Sequence, residues 1–353
     1  RAAAASLVTL GAAGLVGYQR QQSPASSPTR CSPLRRPRHR SLRRLLAGRA
    51  ALAAEGYRTA ANEECARIIK QAMEADPDIQ AVAEMNGEFR EVPVTYPNPE
   101  PTPGSAPTLY GRAVWSDVAA DGRLFTPMER RPVVILVHAA VGQQEDFVTW
   151  RLRSLAANGY VAFAVDMFGT DHAVWEREEI GKMLSPMKED RTRVLSRFKA
   201  AVKACETLVP CANTDRMAAI GFCFGGMVVL DAARSGEFGG LRSCVSFHGV
   251  LDAPELFEKP VKSAPERKRT KVLVWHGDSD PYVPPEKLAS FTKQMDDLEM
   301  DWEIERFPGI GHAFTRPEKI FESDLSSGFG YDEHAASKSW EETKRCFRKL
   351  LNL

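Results

Sequence analysis

The 353-residue chain carries 47 lysine and arginine residues against 46 aspartate and glutamate, a formal net charge of +1, with 43% hydrophobic and 26% charged residues. This is the balance of a globular protein with room for one large domain plus an extension, and it gives no reason to expect a special electrostatic partner. Seven cysteines, at positions 31, 65, 205, 211, 223, 244 and 346, are odd in number and dispersed, which excludes a disulfide framework as the organising principle.

The charge is unevenly spread. No aspartate or glutamate occurs from Arg1 to Ala54, whereas Arg30, Arg35, Arg36, Arg38, Arg40, Arg43, Arg44 and Arg49 crowd one serine- and proline-containing stretch behind an apolar segment, Ala2 to Tyr18. Acid-free, arginine- and serine-rich beginnings resemble organellar transit peptides, so residues 1–55 are expected to be a disordered targeting leader. The expected address is a chloroplast or mitochondrion if the leader acts so, and the cytoplasm otherwise. A nucleic-acid-binding arm fits less well because no aromatics interleave with the arginines. The chain opens on Arg1 rather than methionine, so its natural start is expected upstream. Residues 56–353 then form the folded domain, for which neither nucleic acid nor a stable membrane partner is expected.

Within the domain, Asn62 to Met85 predicts a helix with Ile68, Ile69 and Met73 on one face, and Arg90 to Thr95 with Leu109 to Val114 predicts an antiparallel strand pair. From Pro132 strands and helices alternate. Strands are expected at Val133–Val137, Val161–Val165, Met217–Phe222, Cys244–His248, Lys271–Trp275 and Trp302–Phe307. Helices are expected at Glu145–Asn158, Arg191–Leu208, Gly226–Arg234, Pro285–Leu298 and Ala335–Leu351. Such alternation signals a mainly parallel sheet covered by helices on both faces.

Gly221-Phe222-Cys223-Phe224-Gly225-Gly226 sits where one of these strands turns into a helix. A nucleophile on a sharp, strained turn needs neighbours without bulk, which glycine supplies, and a thiol at a helix N-terminus feels the positive end of the dipole, which favours the thiolate. A buried structural cysteine beside packing glycines would look the same in isolation. Downstream loops decide between the two. His276-Gly277-Asp278-Ser279-Asp280-Pro281-Tyr282 follows a strand and offers Asp280, and Pro308-Gly309-Ile310-Gly311-His312-Ala313-Phe314 follows the next and offers His312. The chain order is nucleophile, acid, histidine, as in α/β-hydrolases, and each residue lies at a strand's carboxyl end, where open α/β sheets gather their sites.

The cysteine elbow, the HGDSDPYVP loop and the GIGHAF loop resemble those of the dienelactone hydrolase family, over roughly Thr108 to Leu353. The resemblance implies the α/β-hydrolase fold and carries a Cys-His-Asp triad onto Cys223, His312 and Asp280. It implies oxyanion donors at the backbone amides of Phe224 and Ala140, and a substrate-binding arginine at Arg316. Phe168 and Phe314, with Trp275, flank the catalytic loops and are expected to line the pocket. Two positions depart from the family pattern. A glutamate that holds the nucleophile's proton is replaced by Ala139, and a second substrate arginine by Thr170, which weakens the case for dienelactone itself as the substrate. Glu145 is read as a carboxylate favoured by a helix N-terminus.

The expected activity is hydrolysis of a small-molecule ester, lactone or thioester without cofactor. No metal site is expected: Cys205 and Cys211 lack a companion pair, and Cys205 reads as helix packing. His138 and His248 read as hydrogen-bonded structural histidines. Two other readings stay open, a ligand-binding scaffold whose catalysis has lapsed and a redox-sensing thiol protein.

Overall fold

The computed structural model describes residues 54–101, 106–257 and 269–352; the expected leader lies outside them. Two helices come first, α1 (Ala54–Glu74) and α2 (Pro77–Glu84), where the sequence predicts one over Asn62–Met85. Proline at position 77 has no amide to continue a helix and its ring crowds the preceding turn, so it starts a new one. Asp76 caps that start, its Oδ1 accepting from the N–H groups of Asp78 and Ile79.

The antiparallel pair follows as β1 (Phe89–Pro97) and β2 (Thr108–Ser116), in register from Phe89 opposite Ser116 to Pro97 opposite Thr108. The alternating part runs β3 (Arg131–Val137), α3 (Asp146–Ala157), β4 (Val161–Val165), α4 (Arg177–Glu189), α5 (Arg191–Leu208), β5 (Ala212–Phe222), α6 (Phe224–Ser235), β6 (Leu241–Phe247), β7 (Lys271–Gly277), α7 (Pro285–Asp297), β8 (Asp301–Phe307), the short α8 (Glu322–Leu325) and α9 (Glu333–Leu351). The helix α4 was not expected from the sequence. Its apolar side, Met183, Leu184 and Met187, packs onto the core beneath it.

All eight strands form one sheet in the order β1-β2-β4-β3-β5-β6-β7-β8. β2 runs antiparallel to both its neighbours, β1 and β4, and every other adjacent pair, from β4 to β8, is parallel. Every residue of β3 and β4 is buried, as central strands covered on both faces require. Alternate residues of β3 point to opposite layers. Val133, Ile135 and Val137 meet α5 and α6 through Phe198, Met227 and Leu230, whereas Val134 and Leu136 meet α3 and α9 through Phe147, Leu152 and Phe347. Burying each such side chain stabilises the fold by about 1.5–3 kcal/mol before chain entropy is counted. This is the mostly parallel, doubly covered sheet of the α/β-hydrolase fold. The carboxyl ends of β3, β5, β7 and β8 converge on one rim.

Candidate active site

At that rim β5 turns into α6 through Cys223, whose φ of 55° and ψ of −114° are a conformation that non-glycine residues rarely adopt. The turn can be this sharp because its neighbours have no side chains. A Cβ on Gly221 would overlap the backbone of Gly225, one on Gly225 would overlap the carbonyl of Val137 in β3, and one on Gly226 would lie 2.6 Å from Ser246 Oγ and 2.7 Å from Gly249 Cα. The glycines therefore let the elbow press against β3 and the end of β6. Cys223 occupies the N-cap position of α6, is partly exposed, and carries no disulfide. The Phe224 backbone N–H lies near its sulfur and favours the thiolate.

Two loops bring a carboxylate and an imidazole to the thiol. Gly277 at the end of β7 packs so closely on Ile310 and Gly311 that a Cβ would strike their carbonyl oxygens. The histidine loop is pinned on its other side by His312 N–H to Gly328 O (2.8 Å) and Gly330 N–H to His312 O (3.0 Å). The result is a wholly buried contact of 2.6 Å between His312 Nδ1 and Asp280 Oδ2, while Asp280 Oδ1 accepts the Tyr282 N–H at 2.8 Å. His312 Nε2 has no oxygen or nitrogen partner and faces Cys223.

Electrostatics couple the three. Burial alone would push the Cys223 thiol up, but the adjacent His312 and the Phe224 N–H outweigh it and hold the thiol below the ordinary cysteine value. Burial likewise disfavours a charged His312, yet the Cys223 thiolate and Asp280 raise the imidazole to about 10. The arrangement favours a thiolate facing an imidazolium.

The loop after β3 forms the other wall. His138 is buried, with Nδ1 on Ala139 O (2.6 Å) and Nε2 accepting the Met167 N–H (3.1 Å), which assigns the neutral tautomer protonated on Nδ1. Its ring packs on Phe168 (centroids 4.7 Å apart), and Phe168 stacks on Phe224 at 5.5 Å. Ala140 lies half-buried at the mouth of this loop. The segment leading into α4 is fastened to the loop by Val174 N–H to Val141 O at 2.8 Å.

The model of the dienelactone hydrolase family matches residues 120–351. The chain belongs to the dienelactone hydrolase family. A Caenorhabditis elegans protein, "Uncharacterized protein K02A2.1", is 34% identical over 160 residues, 44% of this chain and 94% of that protein. A Bradyrhizobium protein named "Probable 2-oxo-3-(5-oxofuran-2-ylidene)propanoate lactonase" is 29% identical over 211 residues, 57% of this chain and 83% of that protein. Among solved structures, that of a dienelactone hydrolase-like promiscuous phosphotriesterase from metagenomic libraries superposes with a TM-score of 0.60 at 29% identity, covering 74% of this chain and 98% of that one.

In this member of the dienelactone hydrolase family several expected side chains lie elsewhere. Arg316 does not reach into the cleft as a free substrate arm. It is 4% exposed, and its Nη1 and Nη2 donate to Glu145 (3.0 and 2.6 Å) while its Nε donates to Glu318. A buried guanidinium needs compensating charge, and two carboxylates supply it. Glu145 stands at the N-cap of α3, the helix start expected for it, but makes no capping bond; both its carboxylate oxygens accept from Arg316, a partner the sequence did not indicate. Phe314 is fully buried between Phe307 (5.3 Å) and His248 (5.2 Å), so it is core and not pocket wall. Trp275 is core as well, its Nε1 donating to Thr343. Sequence reasoning passed over Tyr282, half-exposed and edge-on to His312 at 5.0 Å, although its place two residues after Asp280 marks it. Among the described residues, no group of three or more His, Cys, Asp and Glu side chains is placed to hold a metal ion, and no helix is long and apolar enough to cross a membrane.

Proposed function

We propose that this protein is a thiol-dependent acyl hydrolase cleaving an ester, lactone or thioester, with Cys223 as nucleophile, His312 as proton carrier and Asp280 as its orienting carboxylate. The observation that carries the reading is the buried 2.6 Å Asp280–His312 contact, whose free Nε2 faces a thiol on a strained elbow. The Cys223 thiolate attacks the carbonyl carbon and the carbonyl electron pair moves to oxygen, where the Phe224 and Ala140 amides receive the charge. Each such donor is typically worth about 3 kcal/mol in the transition state. Collapse breaks the ester bond, and the departing alkoxide takes the proton from His312 Nε2. Water then gives a proton to His312 as it attacks the thioester, and the acid leaves with the thiolate restored.

With Arg316 held between two carboxylates, no preformed cation on the histidine loop awaits a substrate carboxylate, which favours neutral acyl groups. The test is hydrolysis of short p-nitrophenyl esters, cis-dienelactone and, given the phosphotriesterase among the similar structures, a phosphotriester, by the wild type and Cys223→Ala. Cysteine-dependent ester turnover supports the proposal. Absence of turnover on every substrate overturns it in favour of a lapsed scaffold, and thiol oxidation by peroxide without turnover favours the redox reading.

A further inference from the structure

We propose that His248, at the end of β6, is a positioning residue that holds the His312 ring toward Cys223; this rests on the proposed nucleophilic role of Cys223. Backbone bonds place it on the lattice that carries the elbow. Cys223 N–H donates to Phe247 O at 3.1 Å, Val250 N–H to Cys223 O at 3.4 Å, and His248 N–H to Trp275 O at 2.8 Å. The side chain reaches the other partner. Its ring meets that of His312 edge-on, with centroids 5.1 Å apart and planes at 67°, and its Nε2 is 2.8 Å from Oγ1 of Thr315, three residues beyond His312 on the same loop. One side chain thus ties the nucleophile's turn to the histidine's loop.

Three features are costly for a residue that only fills space. His248 has a left-handed φ of 37°, a side chain with no exposure, and a buried Nδ1 without a hydrogen-bond partner. An unpaired buried nitrogen costs about 1–3 kcal/mol, which a phenylalanine or leucine of similar size would avoid. Strain of this kind collects where geometry is functional: of the six non-glycine residues with positive φ among those described, Cys223, His248 and Ala313 all belong to this site.

The ring also remains uncharged. Burial, with positive charge from His312, Arg316 and Arg151, holds its pKa well below the usual imidazole range. It therefore neither repels the imidazolium nor competes for the thiolate. The charged groups acting on the pair are Asp280 and Cys223 around His312, and His312 and Asp280 around Cys223, with the phenol of Tyr282 beside both; His276, at the end of β7, also faces His312 and Asp280, and burial holds its pKa down. None of these is altered by substitution at position 248 or 315, so a shift in the thiol's titration reports the orientation of His312.

The full chain tests this. The pH dependence of Cys223 alkylation by iodoacetamide, with the modified residue identified by mass spectrometry, is measured beside kcat and KM for p-nitrophenyl acetate. The variants are His248→Phe, His248→Gln, Thr315→Val and Thr315→Ser. The expected result is a thiol midpoint raised by about one pH unit and kcat lowered about tenfold in His248→Phe, His248→Gln and Thr315→Val, with KM within about twofold and a single cooperative thermal transition that shows each variant folded. Thr315→Ser, which keeps the hydroxyl, restores both. If the His248 variants do not fold, the Thr315 pair decides alone. A depressed midpoint in the wild type that the folded variants leave in place overturns the role of His248 while the nucleophile stands. An ordinary cysteine midpoint in the wild type overturns both.

Discussion

Asp280→Asn tests the site most sharply because the carboxylate's two oxygens are differently engaged. Oδ1 accepts the Tyr282 N–H at 2.8 Å and Oδ2 contacts His312 Nδ1 at 2.6 Å, with both side chains buried. Asparagine has one acceptor oxygen. It stays with the Tyr282 amide, which has no other partner to turn to, and the new NH2 group then faces Nδ1. A donor facing Nδ1 forces the imidazole proton onto Nε2, the nitrogen that must accept a proton from water in deacylation. Loss of a charge-assisted bond alone is worth about 1.5–3 kcal/mol, or roughly 10- to 150-fold in rate at 1.36 kcal/mol per decade. The reversed tautomer adds to this, and the same change in a serine triad lowers kcat by about 10,000-fold. The expected loss in kcat for p-nitrophenyl acetate is therefore about 100- to 10,000-fold, with KM nearly unchanged and the fold retained, since the two residues are isosteric. Turnover within about threefold of the wild type would refute the assignment of Asp280 as the group that orients His312.

Four other outcomes are expected. Alkylation of Cys223 rises with pH through a midpoint below that of a free cysteine, and ester turnover falls again as pH passes about 10, where His312 loses the proton the leaving alkoxide needs; alkylation that tracks a free thiol would show no such pair. Gly225→Ala drives a methyl into the Val137 carbonyl and abolishes turnover with loss of folded protein in a thermal melt, whereas an active, stable variant would show the elbow to be looser. Arg316→Met strands the buried Glu145 and Glu318 carboxylates and lowers stability by about 3–5 kcal/mol in a urea titration, and Glu145→Gln in the same chain restores part of it. Phe314→Ala costs about 3–5 kcal/mol in the same titration, where a pocket-wall residue would raise KM and leave the unfolding midpoint in place.

Strand-helix alternation and the three loop motifs were legible because each is local: a buried run, a turn, and one reactive residue at a fixed offset. The split at Pro77 was missed although Asp76-Pro77 is a cap followed by a first-turn proline, because helical spacing across a composition-neutral stretch obscured it. The spacing of Met183, Leu184 and Met187 also carries the signature of α4, but Gly181 and Pro186 interrupt it and charged residues dominate its first turn. The pairing of Arg316 with Glu145 joins residues 171 apart, and no periodicity reports such a contact. Phe314 turns inward because Ala313, at φ 61°, reverses the backbone just after His312, and an alanine gives no sequence sign of a left-handed residue.

The departures from the family pattern form one electrostatic arrangement. A carboxylate beside the thiol, where the family's glutamate would stand, would oppose thiolate formation by like-charge repulsion. The matching residue of this chain is Ala139, which bears no charge and packs with the apolar side chains under α3. The carboxylate further along the same loop, Glu145, is withdrawn as well, since Arg316 binds both its oxygens. Negative charge then acts on Cys223 mainly from Asp280, on the far side of His312, where it also stabilises the imidazolium. In the proposed mechanism the loop contributes no proton store of its own, and the readiness of Cys223 depends on how His312 is held. That places unusual weight on the residues that fix its ring: Asp280 on one nitrogen, and His248 across its face.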